Sequence, residues 1–271
     1  MSHAGPSWRG YFPLHGELTS GQPDGKEGVY FGREENIQPR SFMRGNNLFP
    51  KDSLPEMENL LLKYLGKMEK LCEHVLKLIA LALGLDENYF SRRFGENGKN
   101  VTLFRAFNYP KQSSTSNPSK WGVAEHTDMG LLTLLKQDNS GGLEIFNQKT
   151  NQWEEAPPKD NTFVVNIGDI LEKWTHGIFI ATKHRVRNTN YEDDRLSMPY
   201  FYDPCFGSTL EPIDKDKIDS NLVDKISNHV MSEQRREWDG QKMSEIDSNM
   251  DYESYLKMKV CKCFPDLFQG I

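Results

Sequence analysis

The sequence predicts a mostly β protein: an antiparallel sandwich or barrel with helices flanking it. Three observations carry that expectation. From Val101 onward, short apolar runs alternate with turn residues, from "VTLFRAFNY" to "RLSMPYFYD". No long helical stripe separates those runs, so a parallel sheet built from βαβ units is not expected. One long amphipathic helix precedes them all, and a packed sheet gives such a helix an apolar face to cover.

The elements follow in order. Residues 1–50 are rich in Gly, Pro and charge, with turn signals at "GQPDG", and read as loops with one short strand at most. The helix lies in "DSLPEMENLLLKYLGKMEKLCEHVLKLIALALG", with Asp52 or Ser53 as N-cap, Pro55 in the first turn and Gly84 as C-cap. Its apolar stripe runs through Leu61, Leu65, Met68, Leu71 or Cys72, Val75, Leu78 or Ile79, and Ala82. The strand region spans 101–210, with turns at "SSTSNPS", "DNSGG", "NQKTNQ" and "EDD". Residues 211–271 form a charged excursion, with a weak stripe at Leu222, Ile226 and Val230, and then a short helix in "YESYLKMKVCKCF".

Composition excludes several classes. A net charge of −6 does not suit a general grip on nucleic acid or anionic membrane. The longest strongly apolar run, Leu78 to Leu85, is far short of the roughly 20 residues that span a bilayer. "MSHAGPSWRG" has no basic segment followed by an apolar one, so it does not read as a signal peptide. Cys72, Cys205, Cys261 and Cys263 lack the paired CxxC spacing of a zinc site and are expected as free thiols in a reducing cytoplasm. No interface stripe is evident, and a monomer is expected.

The chemistry is expected in "VAEHTDMGLLTLLKQD". On extended backbone, His126 and Asp128 point to one face because they stand two residues apart. That face is the interior of the sandwich, where an unpaired carboxylate is costly and a cation would offset the cost. HxD alone is a common pair in a chain with seven His and 39 acidic residues, so a third ligand is needed. His184, at the end of "IFIATKHRVRN", is the candidate. Two imidazoles and one carboxylate leave open positions on a six-coordinate metal, as in non-haem Fe(II) oxygenases. Arg195 and Ser197 in "RLSMPYF" are again two residues apart, and a guanidinium fork with a hydroxyl suits a carboxylate co-substrate. Arg195 follows His184 by eleven residues, and a hairpin crossing of that length would bring it back within one co-substrate length of the metal.

With these blocks in place, the chain resembles the isopenicillin N synthase-like branch of the 2-oxoglutarate- and Fe(II)-dependent dioxygenases. The matching blocks include "GYFPLHGELTSGQPDGKE", "GNNLFP", "LALGLDENYF", "FNYP", "HTDMGLLTLLKQD", "GGLEIF", "FVVNIGDILEKWT", "HRV", "RLSMPYFYDP" and "FPDLF", in the family's order. The resemblance implies a double-stranded β-helix (jelly-roll) core over 101–210, with the long helix packed outside. It implies an N-terminal region, 1–100, that is truncated relative to the family. It implies His126, Asp128 and His184 as Fe(II) ligands, Arg195 and Ser197 binding the distal carboxylate of 2-oxoglutarate, and Tyr109 in "FNYP" beside the co-substrate. The chain departs from the family at Phe107 and His176, where Asn is usual. The implied reaction is oxidation of a C–H bond of a small molecule by O₂, with 2-oxoglutarate converted to succinate and CO₂, and with ascorbate as reductant. Two other functions share these motifs: oxidation without 2-oxoglutarate, as in the ethylene-forming aminocyclopropane-carboxylate oxidases, and non-catalytic ligand binding on the same scaffold.

Overall fold

Two antiparallel sheets face each other in the computed structural model, which describes residues 7–36, 41–94, 99–111, 121–187, 193–226 and 242–264. Along the chain, β1 (Gly10–Phe12), β2 (Leu18–Thr19), β3 (Gln22–Pro23) and β4 (Glu27–Gly32) precede helices α1 (Met57–Ala82) and α2 (Tyr89–Arg93). Then come β5 (Thr102–Tyr109), β6 (Trp121–His126), β7 (Leu132–Gln137), β8 (Leu143–Asn147), β9 (Gln152–Glu155) and β10 (Val164–Ile167). Helix α3 (Asp169–Trp174), β11 (His184–Arg187), β12 (Arg195–Tyr202), α4 (Ser220–Ile226) and α5 (Tyr252–Cys263) complete the order. The larger sheet runs β1-β4-β5-β12-β7-β10 and the smaller β6-β11-β8-β9, with β2 and β3 paired apart from both. Strands of the core cross repeatedly between the two sheets, which is the winding of a jelly roll.

The segment before the long helix differs from the loops expected of it. β4 extends the larger sheet by pairing onto β5, Glu27 opposite Asn108 and Gly32 opposite Leu103, and β1 pairs onto the far side of β4. Strands of two to six residues broken by Gly and Pro carry too little alternation to be read from sequence. β12 is a central strand despite Pro199. Its ladder to β5 is interrupted at Met198 and Pro199, while Pro199 still stands opposite Leu135 of β7. A residue without N–H is tolerated there because the missing bond falls on one side only.

Helix α1 lies against β7 and β12. Its buried residues are Leu65, Met68, Cys72, Leu76, Ile79 and Ala80, whereas Leu71 is 39% and Leu78 65% exposed. Of each alternative pair in the expected stripe, the packed residue is the one three or four positions from Leu76, Cys72 at four and Ile79 at three. The helix starts later than expected, at Met57 behind Glu56, with no side-chain cap. Residues 50–56 instead form turns through Leu54 N–H to Pro50 O and Met57 N–H to Leu54 O. At the other end Gly84, with φ +77°, ends the helix as expected. Leu85 N–H bonds Ala80 O at 2.9 Å and Gly84 N–H bonds Leu81 O at 3.0 Å, a Schellman motif. Helix α3 ends the same way with His176 in the glycine position, at φ +52°, its Nε2 2.6 Å from Ile213 O. His176 is thus a helix-terminating turn residue bonded to the backbone. Val230 and the basic pair Arg235–Arg236 lie outside the described residues. Among the described residues no helix is long and apolar enough to cross a membrane.

The start of α3 clamps the segment that follows β6. Gly168 N–H bonds Leu131 O and Asp169 N–H bonds Asp128 O, both at 2.8 Å, and Ile170 N–H bonds Gly130 O at 3.1 Å. The approach needs glycine on the α3 side, where a Cβ on Gly168 would lie 2.2 Å from Gly130 O; Gly130 is crowded from elsewhere, a Cβ there lying 1.5 Å from Asp203 Oδ1. Gly168→Ala must push two backbones apart. We expect it to cost about 2–4 kcal/mol of stability, read as a lowered denaturation midpoint at unchanged m-value, and to weaken divalent-metal binding in the fraction that folds.

Candidate active site

The two histidines are brought together by strand pairing. β6 and β11 are neighbours in the smaller sheet, and their register sets His126 directly opposite His184, with ring centres 4.3 Å apart. Each ring turns Nδ1 to the carbonyl two residues earlier, His126 to Ala124 O at 2.8 Å and His184 to Thr182 O at 3.1 Å. A carbonyl only accepts, so Nδ1 carries the proton and Nε2 presents a lone pair. Burial, and then the neighbouring His184, hold the His126 pKa down to about 4, which keeps that ring neutral near pH 7.

Asp128 lies just past the end of β6, on the segment that α3 clamps. It is buried, and its two oxygens have different partners. Oδ2 accepts from Thr133 Oγ1 at 2.7 Å and Asn166 Nδ2 at 3.3 Å. Those two residues stand opposite each other on β7 and β10, so the larger sheet grips one carboxylate oxygen with a cross-strand pair. Oδ1 faces the imidazoles, 3.9 Å from His126 Nε2 and 3.7 Å from His184 Nε2. Burial raises the cost of the charge, but the two histidines and the two hydrogen bonds outweigh it and hold the Asp128 pKa below the usual carboxylate value. One donor atom from each of the three residues falls within 4.8 Å of the others. Two imidazole nitrogens and an ionised carboxylate oxygen, facing one another and spent on no other partner among the described residues, make a donor set for one divalent transition metal.

Arg195 reaches the site by a different route from the hairpin expected of it. β11 belongs to the smaller sheet and β12 to the larger, so the chain crosses between sheets after His184. A hairpin would have left Arg195 beside the histidines; the crossover places it on the facing wall. Its guanidinium is buried and oriented on two sides: Nε donates to Gly141 O at 2.6 Å and Nη2 to Gln137 Oε1 at 3.1 Å. Nη1 has no partner among the described residues. The guanidinium carbon lies 4.9 Å from the centre of the Tyr109 ring, and Tyr109 stands opposite Arg195 on β5. Ser197 shares the face and stands opposite both Phe107 and Gln137.

All six residues line one cavity of about 120 Å³ between the sheets. Leu256 and Cys263 of α5, and Trp8, Glu17 and Lys26 of the N-terminal segment, close its outer side. Phe107 and Phe201 also face it, so both contribute wall as well as packing. The sequence reading singled out neither Thr133 nor Gln137, and it gave Asn166, at the end of the "VNIGD" strand, a structural role only. One signal for Thr133 was available: it is the polar residue inside the buried run "LLTLL".

The chain's likenesses to known proteins agree with this geometry. A family model described as the 2OG-Fe(II) oxygenase superfamily matches residues 100–204. The chain is 37% identical to a probable iron/ascorbate oxidoreductase of Dictyostelium discoideum, over 100% of this chain and 77% of that one. It is 28% identical to a 1-aminocyclopropane-1-carboxylate oxidase of the same organism, over 96% of this chain and 75% of that one. Among solved structures it is similar to a full-length Neurospora crassa protein crystallised in complex with alpha-KG, with a TM-score of 0.70 and 26% identity, covering 93% of this chain and 75% of that one.

Thr133→Val keeps the side-chain volume and removes the donor to Asp128. The variant should fold normally and bind Mn(II) or Co(II) about 10–100-fold more weakly in an anaerobic titration. Unchanged affinity would show that the carboxylate is positioned without Thr133.

Proposed function

Because the chain belongs to the 2OG-Fe(II) oxygenase superfamily, we propose that the cavity between its sheets is the reaction centre and that the six residues named above work there together. The protein is a 2-oxoglutarate-dependent dioxygenase, an oxidoreductase that uses Fe(II), 2-oxoglutarate and O₂ to oxidise a small molecule. His126 and His184 through Nε2, and Asp128 through Oδ1, are the proposed Fe(II) ligands. Arg195 and Ser197 are the proposed receptor for the distal carboxylate of 2-oxoglutarate, and Tyr109 backs that receptor with its ring.

The observation that carries this reading is the unpartnered Nη1 of Arg195, buried in the cavity that the three donor residues also line. A buried cationic donor without an acceptor is costly, and a carboxylate from the co-substrate supplies the missing partner. Gln137 and Gly141 O hold the other nitrogens, so the fork is oriented before a ligand enters. Burial also raises the Tyr109 pKa above its ordinary value, which keeps that hydroxyl protonated and able to donate.

Iron held there would supply the chemistry by activating O₂, which takes two electrons from 2-oxoglutarate as it becomes succinate and CO₂ and two from the C–H bond of the substrate. The chain's own share is placement. The β6–β11 register sets the two rings, the Thr133–Asn166 pair sets the carboxylate, and the crossover to β12 sets the guanidinium. The apolar wall, with Leu135, Leu143, Val123 and Val186 among its members, keeps bulk water from that space. Ascorbate fits the same proposal as the reductant that keeps iron ferrous. A reducing, cytoplasmic location is part of it too, supported by four free cysteines.

The test is an anaerobic visible titration with Fe(II) and then 2-oxoglutarate. We expect a weak charge-transfer band that needs both additions. In Arg195→Gln the 2-oxoglutarate concentration for half-formation should rise about 100-fold. His126→Ala and Asp128→Ala should lose the band and turnover together. Bound iron without a band would move the chain to oxidation without 2-oxoglutarate, and turnover in either ligand variant would sink the site assignment.

A further inference from the structure

A second set of buried charges lines the same cavity, and the proposal above uses none of it. Glu17, Lys26 and Arg105 are 8%, 5% and 7% exposed. They come from the segment around β2 to β4 and from β5. Lys26 Nζ lies 2.8 Å from Glu17 Oε2 and also bonds Asp24. Tyr30 OH donates to Glu17 Oε2 at 2.7 Å, and Arg105 Nη1 to Glu17 Oε1 at 3.1 Å. Both oxygens of Glu17 are therefore committed. Burial works against that carboxylate, yet Lys26 and Arg105 hold its pKa down at about 2, so it stays charged and bound to them.

Arg105 has capacity left over. Its Nε is buried and has no acceptor among the described residues. Its guanidinium carbon sits 4.7 Å from the Trp8 ring centre, 4.4 Å from Tyr30 and 5.0 Å from Phe201. These rings and the Glu17 bond hold the group in one place. Arg105 lines the cavity with one nitrogen tied back to Glu17 and a buried Nε still without an acceptor, and a planar oxyanion is the partner that matches such a group. Lys26, by contrast, has its ammonium committed to Glu17 and Asp24.

We propose that Arg105 anchors the substrate through a carboxylate, so that the molecule oxidised is a small organic acid, held at one end by Arg105 and oxidised at a carbon between Arg105 and the three donor residues. The inference rests on the reading of Arg195 as the co-substrate's receptor. The cavity then carries two carboxylate anchors, one for each reactant. The apolar walls between them, Phe107, Phe201 and Leu256, take the body of the substrate.

The experiment uses full-length protein loaded anaerobically with Fe(II) and 2-oxoglutarate. The probes are benzoate, phenylacetate, hexanoate and the L-amino acids, each beside its primary amide, which keeps the shape and removes the charge. Binding is read as a shift of the thermal midpoint and as a change in the charge-transfer band. At least one acid should bind and its amide should not. In Arg105→Gln that acid should bind about 30-fold more weakly or worse, while half-formation of the 2-oxoglutarate band stays as in the unaltered protein. Arg105→Lys keeps a cation for Glu17 and guards against misfolding; it should bind the acid between the two. The proposal is overturned if no acid binds, if amides bind as well as acids, or if Arg105→Gln binds the acid normally. Failure of the band in the unaltered protein would indict the co-substrate reading, whereas a normal band with no preference for acids would indict Arg105 alone.

Discussion

The structure is organised around one buried carboxylate. Asp128 sits between two sheets, away from water, and must be held ionised there. An unpaired charge in such a place is not tolerated, so its surroundings are dictated: donors on one oxygen, two imidazoles facing the other. The donors are Thr133 and Asn166 of the larger sheet, and the imidazoles come from the smaller. The carboxylate can be satisfied in full only when both sheets are assembled at the right separation. Fold and site are in this sense one constraint.

That constraint explains features that would otherwise look unrelated. The segment carrying Asp128 leaves β6 and is fastened to the start of α3 by three backbone bonds, at a glycine, Gly168, whose Cβ the facing backbone would not admit. Thr127, beside Asp128, is fastened to Asp169 as well. Such close backbone approach leaves little room for the ligand segment to drift, and a metal site tolerates little drift. The histidines need less support because strand register already sets them opposite each other, with Nδ1 committed to carbonyls.

Arg195 and Arg105 show how one side chain is prepared for two tasks. Both are buried, both carry an aromatic ring against the guanidinium, and both have one nitrogen without a partner among the described residues. They differ in what restrains them. Arg195 is held by a backbone carbonyl and a neutral amide, which leave its charge unbalanced until an anion arrives. Arg105 is held by Glu17, itself shared with Lys26 and Tyr30, so its guanidinium is fixed in place by an ion pair rather than by neutral acceptors.

The sequence by itself determined the fold class, the long helix with its glycine stop, and the identity of the six residues that meet in the cavity. These are legible because they depend on short-range rules and on motifs that stand in a fixed order. Alternation of two marks Arg195 with Ser197 on β12, whereas His126 and Asp128 meet although β6 ends at His126; the three-to-four spacing marks the stripe of α1, and φ above zero calls for Gly84. Only the tertiary structure decided the rest. It chose Cys72 over Leu71 and Ile79 over Leu78, because the angle at which α1 meets β7 and β12 is a property of both surfaces. It sent β12 to the opposite sheet rather than into a hairpin, because the long connection permits either and packing selects. It paired Thr133 with Asn166 and Arg105 with Glu17, contacts between distant positions that no local pattern encodes. Local backbone chemistry repeats at fixed spacing along the chain, whereas the register between distant strands exists only once the core has closed.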